Sequence, residues 1–293
     1  MKVLLTGGAG FIGSHLTSAL LKQGCQVECV DNLSTGSLEN VQDFLSLPDY
    51  NFHRGFAQDE NLMQPLVDKA DVIFHLAASV GVKNVVEDPI SCIENNIFGT
   101  SRTLSLAAQH KKRIFTFSTS EVYGKAIKFP FFEGDDLVLG PASKLRWRDA
   151  ASKLLDDYLA RAYFIQKALP VTIVRLFNTI GQGQVGEYGM VVPRFFQQAM
   201  SHQPISVYGT GKQTRCFSDV RDVVRALVSL IPCENSYGEV INIGSSEEVR
   251  ILDLATMVTR ITNSRSSIQH LSFEEAYGCD FEDMDRRVPS TEK

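Results

Sequence analysis

The chain has 293 residues, 44% of them hydrophobic and 22% charged, with a formal net charge of -5; that length accommodates one sizeable α/β core and a smaller lobe. The acidic balance, with no basic cluster, argues against a nucleic-acid partner. No apolar run approaches the roughly 18 residues of a membrane span, and a strand begins at residue 2, so neither a span nor a signal peptide is expected. The six cysteines (Cys25, Cys29, Cys92, Cys216, Cys233 and Cys279) include no C-x-x-C pair. Buried thiols in a reducing, cytoplasmic setting are expected, with no metal site.

Lys2 to Thr6 is a short apolar run, Gly7, Gly10 and Gly13 follow at three-residue spacing, and Phe11 to Gln23 repeats apolar residues at helical period before Gly24. This predicts strand, glycine turn and helix. Cys25 to Val30 is a second strand ending at Asp31, 18 positions beyond Gly13, where a dinucleotide fold places its acid. The first glycine permits a tight turn, the second a close backbone approach to pyrophosphate, and the third close helix–strand packing. The free N–H groups of the first helical turn, including Phe11 and Ile12, would face the phosphates. Asp31 would accept from the ribose hydroxyls and repel a 2′-phosphate, favouring NAD over NADP. The polar turn Asn32-Leu-Ser34-Thr35-Gly36 would reach the adenosine side.

Further along, Asp71 to Ala77 is a buried-type strand, and Ala78 and Ser79 after it are small enough to let a cofactor pass over its end, touching Leu76, Ala77 and Ala78. Asp88-Pro89 opens a helix running through Asn96 to about Gln109. Arg113 to Thr119 is a strand leading into Ser118-Thr-Ser-Glu-Val-Tyr-Gly124, and residues 150–168 form a helix with Leu154, Leu155, Tyr158, Leu159 and Ala162 on one apolar face. Val171 to Leu176 is the next strand. This alternation predicts a doubly wound α/β fold, a parallel sheet covered on both faces, over residues 1–176. Beyond Asn178 a glycine-rich loop (Gly181, Gly183, Gly186, Gly189) precedes shorter pieces: a helix from Val192 to Met200, a strand from Ile205 to Tyr208, a helix from Val220 to Ile231, a strand from Val240 to Ile243 and a helix from Ile251 to Ile261. Residues 177–293 are therefore expected to form mainly a second, smaller lobe that returns to the first.

The ordered stretches TGGAGFIGSH, DNLSTG, HLAASVGV, NNIFGT, STSEVYG, RLFNTIG, YGMVVPRF, VYGTGKQTRCFSDVRDVV and RRVP resemble the NAD-dependent epimerase/dehydratase branch of the extended short-chain dehydrogenase/reductases. The nearest likeness is to UDP-glucose 4-epimerases and UDP-glucuronate decarboxylases. The resemblance implies an NAD-dependent nucleotide-sugar enzyme that oxidises the sugar transiently to a 4-keto form. A 4-epimerase is the leading expectation; a decarboxylase or dehydratase using Glu121 is the alternative. It also implies that Thr119 and Lys153 assist the base, that Asn96 lies beside the nicotinamide, and that Ser120, Asn178, Tyr208, Arg215 and Arg287 hold the substrate. Two copies would pair through the helices at residues 88–109 and 150–168, and the chain would continue beyond Lys293 in such proteins.

One position breaks the pattern. The family's tyrosine of Y-x-x-x-K falls on Asp149, four residues before Lys153. A carboxylate with a pKa near 4 is a poor match for an alcohol proton, and its shorter reach would misplace the acceptor. Asp149 is expected to pair with Lys153. Three readings remain: another group such as Glu121 or Tyr123 acts as base; the protein binds both ligands without turnover; or the aspartate is an introduced substitution. For Tyr123 a structural role under the sheet end is the stronger expectation.

Overall fold

The computed structural model describes residues 1–79, 88–144, 146–186, 189–277 and 282–293. The last three residues of HLAASVGV and the first residue of YGMVVPRF fall outside them, as does Cys279. Strands β1 (Lys2–Thr6), β2 (Gln26–Asp31), β3 (Tyr50–Arg54), β4 (Val72–His75), β5 (Arg113–Thr119) and β6 (Val171–Leu176) come first in the chain. Next come β7 (Thr179–Ile180), β8 (Ile205–Tyr208), β9 (Thr214–Cys216), β10 (Ser218–Asp219), β11 (Val240–Ile243), β12 (Glu248–Arg250) and β13 (Ile268–Leu271). The helices are α1 (Phe11–Lys22), α2 (Glu60–Lys69), α3 (Pro89–Gln109), α4 (Trp147–Lys167), α5 (Val191–Met200), α6 (Val220–Ser229), α7 (Ile251–Ile261) and α8 (Phe273–Tyr277).

Seven strands form one sheet in the order β11-β6-β5-β4-β1-β2-β3, every neighbouring pair parallel. The side chains of the central strands alternate between the two faces. Val3, Leu5, Phe74 and Phe115 meet Leu16 and Leu20 of α1 and Val223 and Leu227 of α6 on one side. Leu4, Ile73, Ile114 and Ile173 meet Met63 of α2, Leu104 of α3 and Ala160 of α4 on the other. Burial of each such residue contributes roughly 1.5–3 kcal/mol, which is why these strands read as unbroken apolar runs. A separate core, Phe195, Ile205, Val207, Leu254 and Val258, joins α5, β8 and α7.

Among the regular elements before β6, two escape the sequence pattern; beyond it the short strands β7, β9, β10, β12 and β13 and helix α8 were not expected either. β3 is an edge strand with a partly exposed, polar sequence, so its periodicity is weak. α2 contains Pro65, normally a helix breaker; packing of Met63, Leu66 and Val67 holds the helix together around it.

The expected apolar face of α4 is not the buried one. Ala150, Ser152, Lys153, Asp156, Asp157 and Ala160 are buried, while Leu155 and Tyr158 are 48% and 64% exposed. The polar residues turn inward because they have partners there. Arg175 Nε donates to Asp157 Oδ2 at 3.0 Å, and Lys153 Nζ donates to Asp156 Oδ2 at 3.0 Å. The helix also starts at Trp147, before the expected residue 150, and this places Asp149 in its first turn.

Because the chain moves outward from β1 to β3 and then crosses back to β4, the loops after β1 and β4 diverge. A crevice opens above the C-terminal ends of the strands, where open α/β sheets bind ligands.

Candidate active site

A cavity of about 650 Å³ occupies this crevice. At one end the wall is the glycine turn. Gly7 has φ +75°, and Gly13 packs so closely that an added Cβ would lie 2.2 Å from the Gly7 carbonyl oxygen. Gly10, Phe11, Ile12, Asn32, Ser34, Thr35, Leu76, Ala77 and Ala78 also line the cavity. Asp31 accepts from Ala9 N at 2.9 Å and from Leu33 N at 2.8 Å. Burial raises its pKa against the pull of those two N–H groups. Each carboxylate oxygen has a further lone-pair site for a ribose hydroxyl. The lining here, from Val30 to Gln58, contains Asp31 and Glu39 and no lysine or arginine, a wall that fits a ribose diol and repels a 2′-phosphate. Gly36 is not among the residues that line the cavity, although it lies beside Asp31. It packs behind the turn, where a Cβ would meet the Ala9 backbone at 2.9 Å.

The other end is built from β5, α4, β9 and the C-terminal stretch. Thr119 caps the short turn Ser120–Tyr123, its hydroxyl accepting from Glu121 N at 3.2 Å; that leaves its O–H to donate. Arg146 Nη2 lies 2.9 Å from Glu121 Oε1 and 2.7 Å from Oε2, and Arg287 donates to the same carboxylate. Arg146 Nη1 and Arg215 Nη2 each donate to Asp283 Oδ1 at 2.7 Å, joined by Met284 N at 2.8 Å. Arg287 also reaches Ser120 Oγ at 3.4 Å and Asn178 Oδ1 at 3.3 Å. Tyr208 lines the cavity, with the Arg194 guanidinium 3.8 Å from its ring centre. From the glycine-rich loop, Gly183, Gln184, Val185 and Gly189 face the cavity; residues 187 and 188 lie outside the described set.

Four expectations change here. Asn96 is fully buried and absent from the cavity wall; it accepts from Ser79 N at 2.8 Å and donates to Ser152 Oγ at 3.2 Å. Its polar atoms brace α3 against the loop after β4 and against α4. Lys153 pairs with Asp156, not with Asp149. Glu121 is not a free carboxylate: burial alone would raise its pKa, but Arg146, Arg287 and Arg215 hold it down to about 2. Finally, the Asp149 carboxyl does not keep an ordinary acidity, because burial lifts it to about 6, Lys153 acting against the rise. Tyr123 is structural, as its sequence position suggested. Its ring stacks on Phe131 at 4.6 Å and its hydroxyl donates to Asn242 Oδ1 at 2.7 Å.

Arg146 and Asp283 are site residues that the motifs did not single out. Arg146 carried a weak signal, a cation just before a helix that bears an acid and a lysine. Asp283 carried none, since an acid in a run of acids reads as a solvated surface.

The pattern of the NAD dependent epimerase/dehydratase family matches residues 3–244. The chain is 43% identical over its whole length to UDP-N-acetyl-alpha-D-glucosaminuronate decarboxylase of Bacillus cytotoxicus, covering 90% of that protein. It is 34% identical, again over its whole length, to UDP-glucuronic acid decarboxylase 1 of Danio rerio, of which it covers 66%. A similar fold occurs in the crystal structure of UDP-glucuronic acid 4-epimerase from Bacillus cereus in complex with UDP-glucuronic acid and NAD. The TM-score is 0.87 at 30% identity, over 99% of this chain and 90% of the other.

Proposed function

The chain belongs to the NAD-dependent epimerase/dehydratase family, with NAD as its cofactor, and from this we propose that it decarboxylates a UDP-linked hexuronate through a transient 4-keto sugar. The 2-acetamido hexuronate is the first candidate, because the 43%-identical relative is named for it. This replaces the leading expectation of a 4-epimerase with its alternative. Bound NAD supplies a hydride acceptor beside the sugar, and later returns the hydride.

The observation that carries the reading is the arginine cluster. Arg146, Arg215 and Arg287 face two carboxylates, Glu121 and Asp283, so three positive charges meet two negative ones in a single wall of the cavity. A planar guanidinium suits both diphosphate and carboxylate oxygens, and a UDP-hexuronate carries both. Once C4 is a ketone, the carboxylate on C5 is β to it. The C5–C6 bond can then break, its electron pair moving to the 4-oxygen as an enolate and carbon dioxide leaving. Thr119, whose hydroxyl accepts from Glu121 N, would donate its proton to that oxygen, and Asn178 and Tyr208 would hold the nucleotide side. Lys153, held by Asp156, would bind the nicotinamide ribose.

Incubating the protein with NAD and UDP-glucuronate, or its 2-acetamido counterpart, should release carbon dioxide and form the corresponding UDP-pentose, read by mass spectrometry and proton NMR. Conversion to the C4 epimer without carbon dioxide would establish a 4-epimerase instead.

We also infer that two copies pair through α3 and α4. Ile90, Phe98, Leu155, Tyr158 and Ile165 are all exposed on these adjoining helices, Ile90 at 70% and Ile165 at 68%, a larger apolar surface than scattered single residues make. A negative charge introduced there, Tyr158→Glu, should shift sedimentation from dimer to monomer. A wild type that sediments as a monomer would exclude the pairing.

A further inference from the structure

We propose that Asp149 is the group that accepts the sugar's hydroxyl proton in this chain, an assignment that rests on the reading of the cavity as a nucleotide-sugar site. The first turn of α4 is held firmly. Ser152 Oγ donates to the Asp149 carbonyl at 2.9 Å, and Asn96 donates to Ser152 Oγ, fastening the turn to α3. The Asp149 side chain lines the cavity, and its Oδ1 is sealed from solvent with no hydrogen-bond partner among the described residues. A buried carboxylate oxygen without a donor disfavours the charged form, and the side chain as a whole is partly exposed, facing the cavity.

The neighbouring cations are engaged elsewhere. Lys153, one turn on, gives its ammonium to Asp156, and Arg146 gives its guanidinium to Glu121 and Asp283. The groups facing Asp149 are Lys153, Asp156 and Arg146 at its own helix, Glu121 from the turn after β5 and Cys92 from α3. Of these and the other acids in the wall, Glu121 and Asp283 are clamped by arginines, and Asp31 and Glu39 stand at the adenosine end. The Cys92 thiol is pushed up to about 12, chiefly by burial. Among the acids of the described cavity wall, Asp149 combines a place at the sugar end, a partly exposed side chain that no arginine clamps and a pKa that burial has raised to about 6. NAD, when bound, would supply the hydride acceptor for C4–H. The part of this chain is to take the hydroxyl proton onto Asp149 while the O–H electron pair becomes the second C–O bond, and to return that proton when the ketone is reduced again.

Asp149→Asn should lower kcat by at least about 10²-fold, the lower range for general-base catalysis, while calorimetric affinity for the nucleotide sugar changes less than about threefold. In the wild type kcat should rise through pH 6 to a plateau, lying about tenfold below it at pH 5. The Asn variant should lose that limb. A third readout needs no turnover. A carboxyl whose pKa is raised on folding adds stability that is present below its ordinary pKa of 3.8 and lost as pH rises through about 6. The ionised group therefore weakens the fold at neutral pH, and Asp149→Asn should melt higher than wild type at pH 8, the gap closing toward pH 4. An Asn variant that keeps its rate and pH limb, or melts lower at pH 8, would overturn the assignment. The two readings fail separately. Wild type that forms a reduced cofactor or a C4 epimer without carbon dioxide, with Asp149→Asn doing neither, would sink decarboxylation and leave Asp149 in place. Carbon dioxide released at full rate by Asp149→Asn would do the opposite. A wild type giving no reduced cofactor, epimer or carbon dioxide from either hexuronate would overturn both.

Discussion

Gly13→Val is expected to abolish NAD binding and to destabilise the fold by roughly 1–3 kcal/mol or more, the usual range for overpacking. At this position a Cβ would stand 2.2 Å from the Gly7 carbonyl oxygen and 2.7 Å from Gly8 Cα. Both obstacles are backbone, so no side chain can swing aside. Either the Gly7 turn or the start of α1 must move, and both shape the phosphate site: Gly7 needs its φ of +75°, and the first turn of α1 aims its N–H groups into the cavity. Calorimetric titration with NAD and urea unfolding measure the two effects. Binding within tenfold of wild type would show that the turn does not determine cofactor affinity.

Glu121→Ala should cost about 3–5 kcal/mol, the range for removing one member of a buried ion pair. Arg146, Arg215 and Arg287 would be left facing Asp283 alone. The pH dependence has a definite sign. Glu121 is held at about 2 in the folded protein against an ordinary 4.5, burial opposing the arginines that hold it there. Its contribution is therefore fully present above about pH 4.5 and lost as pH falls toward 2. Wild type and Glu121→Ala, compared by urea unfolding, should differ most near pH 7 and converge as the solution becomes strongly acidic. A difference below about 1 kcal/mol at pH 7 would mean that the cluster is solvated and worth no more than a surface pair.

The cofactor end of the cavity was legible because its determinants are local. Gly7, Gly10, Gly13 and Asp31 lie within one strand–helix–strand unit, so spacing along the chain is close to spacing in the fold. The sugar end was less so. Lys153 has its partner three residues on in Asp156, which a rule for exposed helix pairs would score as ordinary; only burial makes the pair a fixed contact. Glu121 was legible as a candidate base, but not the clamp on it, made by residues 25 and 166 positions away.

Residue order was enough to specify the sheet strands β1, β5, β6 and β11, the glycine turn and the preference for NAD, since burial on both faces and close backbone approach each impose a residue type at a fixed interval. Three-dimensional packing settled which polar groups are neutralised and which are left open. Electrostatic partnership depends on distance through space and on exclusion of water, and neither is carried by position along a chain. The same helix therefore contains a lysine held by Asp156 and, four residues earlier, a carboxylate whose buried Oδ1 meets no donor among the described residues.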